Sequence, residues 1–371
     1  MGKNENIFTS VLFLALIFGL GTAFFCIRDR DFSENENRYL AQAPKLSVKK
    51  LVSGDYMEEA DEYVSDQFAF RDFFMGTASE YRRLLGMRDI EDVYLARDGY
   101  LIQKTESRDV DTELVAQNIS YINKFFEGCD TVEKERRVFL IVPTAAFVLE
   151  DKLPACAPEF DQGGIISEIS RGISEGAALD ASGALKSMEK QSFYKTDHHW
   201  TSWGAFEAYL EYSRLYGKTP AAEDFGFETV CTDFRGSLYS KVLLPNTAYD
   251  EIVLAKGIEN ITADCDGENG MLYDYGALSE KDKYRVFLGG NYGRVDIEGG
   301  GEGTLLLVKD SFANSFVPFL TRDYAKIIML DMRYYMGSVK ALAADEGVTD
   351  ILVLYNTANF ISDKNIVKLG L

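Results

Sequence analysis

The sequence predicts an α/β fold: an open parallel sheet with flanking helices, preceded by an N-terminal transmembrane helix. Three observations predict it. Four short apolar runs, VFLIVPT (138–144), TLLLVKD (304–310), KIIMLDM (326–332) and DILVLYN (350–356), have the length and continuity of strands buried on both faces. Stretches of helical length and pattern separate the last three, the alternation that parallel βαβ units require. The segment Ile7 to Cys26 carries no charge.

Taken in order, that first segment is twenty residues long, matching the roughly 20 residues a helix needs to span a bilayer. It is longer than a signal-peptide core and ends in no small-x-small cleavage site, so residues 1–30 read as an uncleaved signal anchor. Lys3 precedes the segment and Arg28 and Arg30 follow it, interleaved with Asp29 and Asp31. The positive-inside rule therefore does not fix the orientation. Residues 31–50 are polar, contain a proline and read as a linker. Residues 56–86 carry an aromatic-rich helical pattern, expected as one or two helices that pack on the main domain, with Gly86 ending the second. The linker and these helices make up residues 31–90, and the main domain is expected over 91–371. Within it, 156–192 is loop-like and then mildly helical, and 217–303 reads as an insertion with irregular or β structure.

Charge excludes one class of partner. The formal net charge is −20, and binding to phosphate backbones needs a basic surface, so no nucleic-acid partner is expected. Acidic lipid headgroups would also repel such a surface beyond the anchor. Besides Cys26, the cysteines Cys129, Cys156, Cys231 and Cys265 are scattered with no C-x-x-C. They admit disulfide pairing or buried thiols, and zinc-ligand spacing is absent.

The chain has only two histidines, His198 and His199, and two tryptophans, Trp200 and Trp203, all within TDHHWTSWG (196–204). Histidine alone titrates near neutrality unperturbed, so histidine chemistry must use this segment. An amphipathic helix is expected from about Ser202 to Tyr216, with Thr201 as N-cap. In an extended loop, residues two apart point the same way. That pairs Asp197 with His199 and turns His198 elsewhere. Asp197 then holds one ring nitrogen of His199 and leaves the other free as a general base. A structural turn with buried tryptophans is the bland alternative.

The matching nucleophile is Ser311, in LLLVKDSFANSFVPFL. A strand runs into it and an amphipathic helix is expected after it. This places Ser311 at the carboxyl end of a strand, where open α/β sheets hold their sites, with its N–H at a helix N-terminus. The G-x-S-x-G elbow pattern is absent, and helix capping by Ser311 is the alternative. Asp310 is assigned a turn or capping role. Arg333, Tyr334 and Asn356 follow strand ends and are candidates, with His198, for substrate or oxyanion contacts. A metal-dependent phosphoesterase would need further histidine or aspartate ligands that this chain does not offer in histidine; no metal and no cofactor is expected.

KTDHHWTSWG (195–204) resembles the signature of the DHHW family of bacterial envelope proteins. That family is similar to the SGNH-hydrolase-like domain of alginate O-acetyltransferases. FSENENR (32–38), DQFAFRD (66–72), GSLYSK (236–241), VKDSFANSF (308–316) and LDMRYY (330–335) resemble its other blocks, so the resemblance spans most of the chain after the anchor. It implies an SGNH-hydrolase-like (flavodoxin-like) domain outside the cytoplasm, with a Ser-His-Asp triad carried over to Ser311, His199 and Asp197. It further implies a polysaccharide acceptor and a membrane-bound O-acyltransferase as acyl supplier. His198 stands where the alginate enzymes have another residue.

Three functions follow: O-acyl transfer, most simply O-acetyl transfer, to a surface polysaccharide through an acyl-enzyme; carbohydrate acetylesterase activity on the same polymer; or a non-catalytic polysaccharide-binding scaffold.

Overall fold

The computed structural model describes residues 3–33, 35, 38–258 and 261–370. Glu34, Glu36 and Asn37, within the 32–38 block, lie outside the described residues, as do Met1 and Gly2 of the expected anchor. The chain forms two compact units, Met1–Met87 with Ser240–Asn246, and Arg88–Tyr239 with Thr247–Leu371.

In the first unit, α1 (Lys3–Cys26) contains Ile7–Cys26, the one described helix long and apolar enough to cross a membrane. A two-residue pair, β1 (Phe32–Ser33) and β2 (Arg38–Tyr39), is followed by α2 (Val48–Ser53), α3 (Asp55–Asp66) and α4 (Arg71–Leu84). The expected helices of 56–86 are α3 and α4. Gly86, at φ 89, closes α4 by donating to the Arg83 carbonyl at 3.0 Å. The extra helix α2 begins in the stretch read as linker and runs past its end. It is only six residues long, too short to show a period, and is delimited by Ser47, which accepts from Lys50 N–H, and by Gly54 at φ 91. The buried Asp66 ties the linker to α3: it accepts from Arg38 and from Ala41 N–H, and the Arg38 bonds hold its carboxyl down at about 2.

The second unit opens with a three-stranded meander, β3 (Asp89–Ile90), β4 (Val93–Leu95) and β5 (Leu101–Gln103). There follow α5 (Thr112–Gly128), β6 (Arg137–Val142), α6 (Ala145–Val148), α7 (Gln162–Gly172), β7 (Ala177–Asp180), α8 (Ser182–Ser187), α9 (Ser202–Leu215), β8 (Glu228–Phe234), α10 (Ser237–Val242), whose last three residues belong to the first unit, and β9 (Asp250–Leu254). The remainder is β10 (Thr262–Cys265), β11 (Glu268–Met271), β12 (Arg294–Glu298), β13 (Thr304–Lys309), α11 (Ala313–Leu320), β14 (Lys326–Leu330), α12 (Val339–Asp345), β15 (Asp350–Asn356) and α13 (Thr357–Phe360).

The central sheet has the order β11-β10-β12-β14-β13-β15-β6-β7. The four apolar runs are its middle, β14-β13-β15-β6, and are parallel, as is β7 on β6. Their residues alternate between two cores. Leu305, Leu307, Leu352 and Leu354 face one layer with Trp200, Phe206 and Phe316, while Leu306, Val308, Ile351 and Val353 face α5, α7 and α12. Burial on both faces is why these strands read as continuous apolar runs. Each such side chain contributes roughly 1.5–3 kcal/mol.

The fold is α/β, as expected, but its central sheet is not wholly parallel. Segment 217–303, expected as an insertion, sends three strands into the central sheet: β12 pairs antiparallel with β14, and β10 and β11 extend that edge. Only β8 and β9 form a separate antiparallel pair. The stretch 156–192 holds α7 and α8 but also the unexpected edge strand β7. Helix α11, expected to be amphipathic, is buried along all eight residues because the sheet and α9 close over it from both sides. All five cysteines are free thiols.

Candidate active site

The middle strands end on one edge, and β13 places Lys309 there. The chain then turns through Asp310, Ser311 and Phe312 into α11. The buried Asp310 fixes this turn: one carboxylate oxygen accepts from Phe312 N–H at 2.9 Å, the other from Asn356 N–H at 2.7 Å and the Asn359 amide at 2.8 Å. Burial pushes its carboxyl up and these bonds oppose that. The expected turn role for Asp310 is therefore visible in its bonds. Ser311 does not cap α11, whose N-cap is Phe312.

The facing loop is built by another buried carboxylate. Asp250, at the start of β9, accepts from Lys195 N–H and Thr196 N–H, each at 2.8 Å, and from the Thr196 hydroxyl at 2.6 Å. Beyond it, Thr201 caps α9 by accepting from Gly204 N–H at 3.2 Å. Between these fixed points the buried Trp200 reaches across. Its indole N–H donates to the Phe312 carbonyl at 3.0 Å and to Ser315 Oγ at 2.9 Å. The tryptophan thus ties the histidine loop directly to the serine turn.

Asp197, His199 and Ser311 meet there. His199 Nδ1 donates to Asp197 Oδ1 at 2.6 Å, and His199 Nε2 faces Ser311 Oγ at 2.8 Å. With Nδ1 protonated, Nε2 is the acceptor for the hydroxyl proton. Asp197 Oδ1 also takes His199 N–H at 2.9 Å, and Oδ2 takes Ser237 N–H at 2.7 Å. Burial alone would raise the Asp197 carboxyl. Electrostatic interaction with the His198 and His199 imidazoles, with the bonds from His199 and Ser237, outweighs it and holds the group well below the usual range. His199 is 6% exposed. Tyr284 stacks on its ring at 3.9 Å and 7°, and its hydroxyl lies 3.2 Å from Ser315 Oγ.

His198 does not turn away as the two-residue alternation implied. Its ring centroid is 3.9 Å from that of His199, and its Nδ1 is 2.7 Å from Ser237 Oγ and 3.7 Å from Asp197 Oδ1. The loop here is a series of bends, not extended chain, so both histidines collect on the carboxylate. Asp197, His198 and His199 offer ligand atoms within 4.8 Å of one another. A cation bound there would displace the bonds that orient His199.

Asn356 is not available to an oxyanion. Its amide protons go to the carbonyls of Val142 at 3.2 Å and Pro143 at 3.1 Å, and its oxygen caps α13 through Ala358 N–H. Arg333 forks onto Asp331 at 2.9 and 2.6 Å, which raises its guanidinium further. The same Asp331 lies 3.5 Å from the buried Lys309 ammonium. Tyr334 is exposed beside Arg333, 5.3 Å from ring centroid to guanidinium carbon. Neither bonds to Asp197, His199 or Ser311.

Several neighbours had no role assigned from the sequence. Ser237 closes Asp197 from the other side, and Tyr284 covers His199. Lys309 is 1% exposed and donates to Asn314 at 2.9 Å and Asn291 at 3.2 Å, linking the serine turn to the Gly290–Asn291 loop. GSLYSK was visible as a block containing Ser237, but Lys309 carries no local signal beyond a polar residue at a strand end, and Tyr284 sits in a short 3-10 turn, Lys283–Val286, with no signal of its own.

Residues 182–330 match the family described as DHHW protein, and residues 95–243 match the SGNH hydrolase-like domain of acetyltransferase AlgX. No curated protein matches the chain. A DHHW family protein from Eubacterium siraeum is similar in structure, with 21% identity and a TM-score of 0.62 over 76% of this chain and 95% of that one. Bacillus cereus PatB1, solved with a sulfonyl adduct, is similar at 20% identity and a TM-score of 0.63, over 75% of this chain and 98% of that one. At such identity the likeness is one of fold. The resemblance to the DHHW proteins stands over residues 182–330, and that to the AlgX-type acetyltransferase domain over residues 95–243.

Proposed function

We propose that the chain is an extracytoplasmic O-acyltransferase, most simply an O-acetyltransferase, acting on a polysaccharide through an acyl-enzyme on Ser311. The observation that carries this reading is the continuous bond path from Asp197 through His199 to Ser311 Oγ. His199 Nε2 takes the hydroxyl proton as Oγ attacks the acyl carbonyl, and the resulting imidazolium is stabilised by Asp197. The oxyanion is received by the backbone N–H of Ser311, which has no acceptor among the described residues. His199 then protonates the leaving group. A sugar hydroxyl enters, gives its proton to His199 and takes the acyl group, restoring Ser311.

The similarity to the AlgX-type domain favours an acyl group and a polysaccharide hydroxyl as the two substrates. A membrane-bound O-acyltransferase as acyl supplier, and α1 as the anchor that holds the second unit outside the cytoplasm, complete the reading. The test is product analysis by mass spectrometry after incubation with an acetyl ester and an oligosaccharide acceptor. Acetylated oligosaccharide made by the wild type and not by Ser311→Ala is the expected result. Free acetate alone from the wild type replaces transfer by hydrolysis. No turnover of the ester at all replaces it by a scaffold role.

A further inference from the structure

Helix α4 turns its small residues inward and its large apolar ones outward. Gly76 and Ser79 are buried, while Phe73, Phe74, Tyr81 and Leu84 are exposed, with Leu85 just beyond the helix. Phe73 is 68% and Leu84 71% exposed. The inner face cannot exchange places with the outer. A Cβ on Gly76 would lie 2.6 Å from the Leu243 carbonyl oxygen, so that side admits no larger residue. Fourteen residues at 1.5 Å each make the stripe about 20 Å long. A continuous exposed patch of this kind marks an interaction surface.

The first unit indicates what covers it. Phe24, near the end of α1, packs edge-on against Tyr63 of α3 at 5.8 Å, and the Tyr63 hydroxyl donates to Asp29 at 2.9 Å. Gln67, just past α3, accepts from Arg30 N–H at 3.0 Å and donates to the Arg30 carbonyl at 2.9 Å. The Arg30 guanidinium lies 3.6 Å from Asp72, in the first turn of α4. The stripe therefore begins beside Arg30, four residues after Cys26, where α1 ends. Four extended residues reach at most about 14 Å. The headgroup layer on each side of the hydrocarbon is roughly 5–8 Å deep. The start of α4 is thus at or next to the level where aromatic side chains concentrate in membrane proteins. A chain of net charge −20 gains nothing from acidic headgroups, so the attraction is apolar.

We infer that α4 lies in the interfacial layer of the bilayer at the end where α1 emerges. Phe73, Phe74, Tyr81, Leu84 and Leu85 enter the boundary between headgroups and acyl chains. This is a second, monotopic contact that holds the first unit down on the lipid. It rests on the reading of 7–26 as a membrane span.

The full chain is reconstituted in phosphatidylcholine vesicles containing lipids brominated either high or deep on the acyl chains. Phe73→Trp and Leu84→Trp are compared with the wild type, whose Trp200 and Trp203 supply the background, and Phe18→Trp reports on α1. The added α4 tryptophans are expected to emit to the blue and to be quenched at least about twofold by shallow bromines, and Phe18→Trp by deep ones. Quenching of Phe18→Trp without quenching at positions 73 and 84 overturns the inference and leaves the span standing, the stripe then meeting water or another protein surface. Absence of quenching at all three positions overturns the span and the inference together.

Discussion

Replacing Gly236 by alanine is expected to disable the site while the chain still folds. A Cβ there would lie 2.6 Å from Asp197 Cγ, and nearer still to its Cβ and Oδ2. Carbon contacts settle near 3.5–4.0 Å, so the Asp197 side chain or the 236–237 backbone must move by about 1 Å. Retreat of the carboxylate oxygen alone does not relieve the overlap, because the Asp197 Cβ stands on the loop backbone. Asp197 Oδ2 holds Ser237 N–H at 2.7 Å and Oδ1 holds His199 Nδ1 at 2.6 Å, and a shift of that size cannot keep both. A 1 Å misplacement costs about 10²-fold in rate, or about 2.7 kcal/mol on the barrier. Initial rates on a chromogenic acetyl ester, with thermal unfolding measured in parallel, test this. The expected result is a kcat lower by about 100-fold with KM much less affected. Gly183→Ala is the control, since nothing lies within 4 Å of its Cβ, and it should keep the wild-type rate. A Gly236→Ala enzyme with the wild-type kcat would refute the argument that Ser237 and Asp197 position His199.

Three further outcomes are expected. Tyr284→Phe keeps the ring on His199 and loses two long hydroxyl contacts, with Ser315 Oγ at 3.2 Å and the Ser311 carbonyl at 3.4 Å, so its kcat should stay within about fivefold of wild type, whereas Tyr284→Ala should lose roughly 10–100-fold by freeing the imidazole. Trp200→Phe removes the indole donor to the Phe312 carbonyl and Ser315; urea unfolding should show a loss of about 1–3 kcal/mol together with a lower kcat. Glu159 has a buried, unpartnered carboxylate oxygen, and burial pushes its carboxyl up from 4.5 to about 7. The folded value exceeds the unfolded one, so stability is greatest below about pH 4.5 for this group, falls as pH rises to about 7 and is flat above. Glu159→Gln should remove that slope and raise Tm at pH 8 by about 2–4 °C, the equivalent of about 1 kcal/mol after allowance for the group's partial access to solvent.

The strands that carry the site were legible because they are buried on both faces. Leu305 to Val308 and Ile351 to Leu354 form unbroken apolar runs whatever their neighbours. Strand β7 was not legible: AALD lies half exposed at the sheet edge and lacks β-branched side chains. Nor was the membership of β10 and β12 in the central sheet. Their burial alternates along the chain, as in any antiparallel strand, and only the long-range register of Val295 on Met329 assigns them. The Asp197–His199 pairing was readable from spacing, and Ser311 from its place after a strand. The position of His198 was not, because the rule of alternate sides fails in a loop of consecutive bends. The bonds that commit the Asn356 amide were not legible either. A strand-end asparagine has an amide that first satisfies nearby carbonyls, here Val142 and Pro143. Ser237 and Tyr284 reach the site from 40 and 85 residues beyond Asp197 and His199, a distance no local pattern spans.

The central claim is that Ser311 carries the acyl group. Peptide mapping by mass spectrometry after a short exposure to an activated acetyl ester, quenched in acid, measures it directly. One acetyl group on the peptide containing Ser311 is expected in the wild type, none at that position in Ser311→Ala, and a much slower appearance in His199→Ala. Acetylation that persists unchanged in Ser311→Ala, or a wild type that turns over the ester with no adduct on that peptide under any quench, contradicts the account.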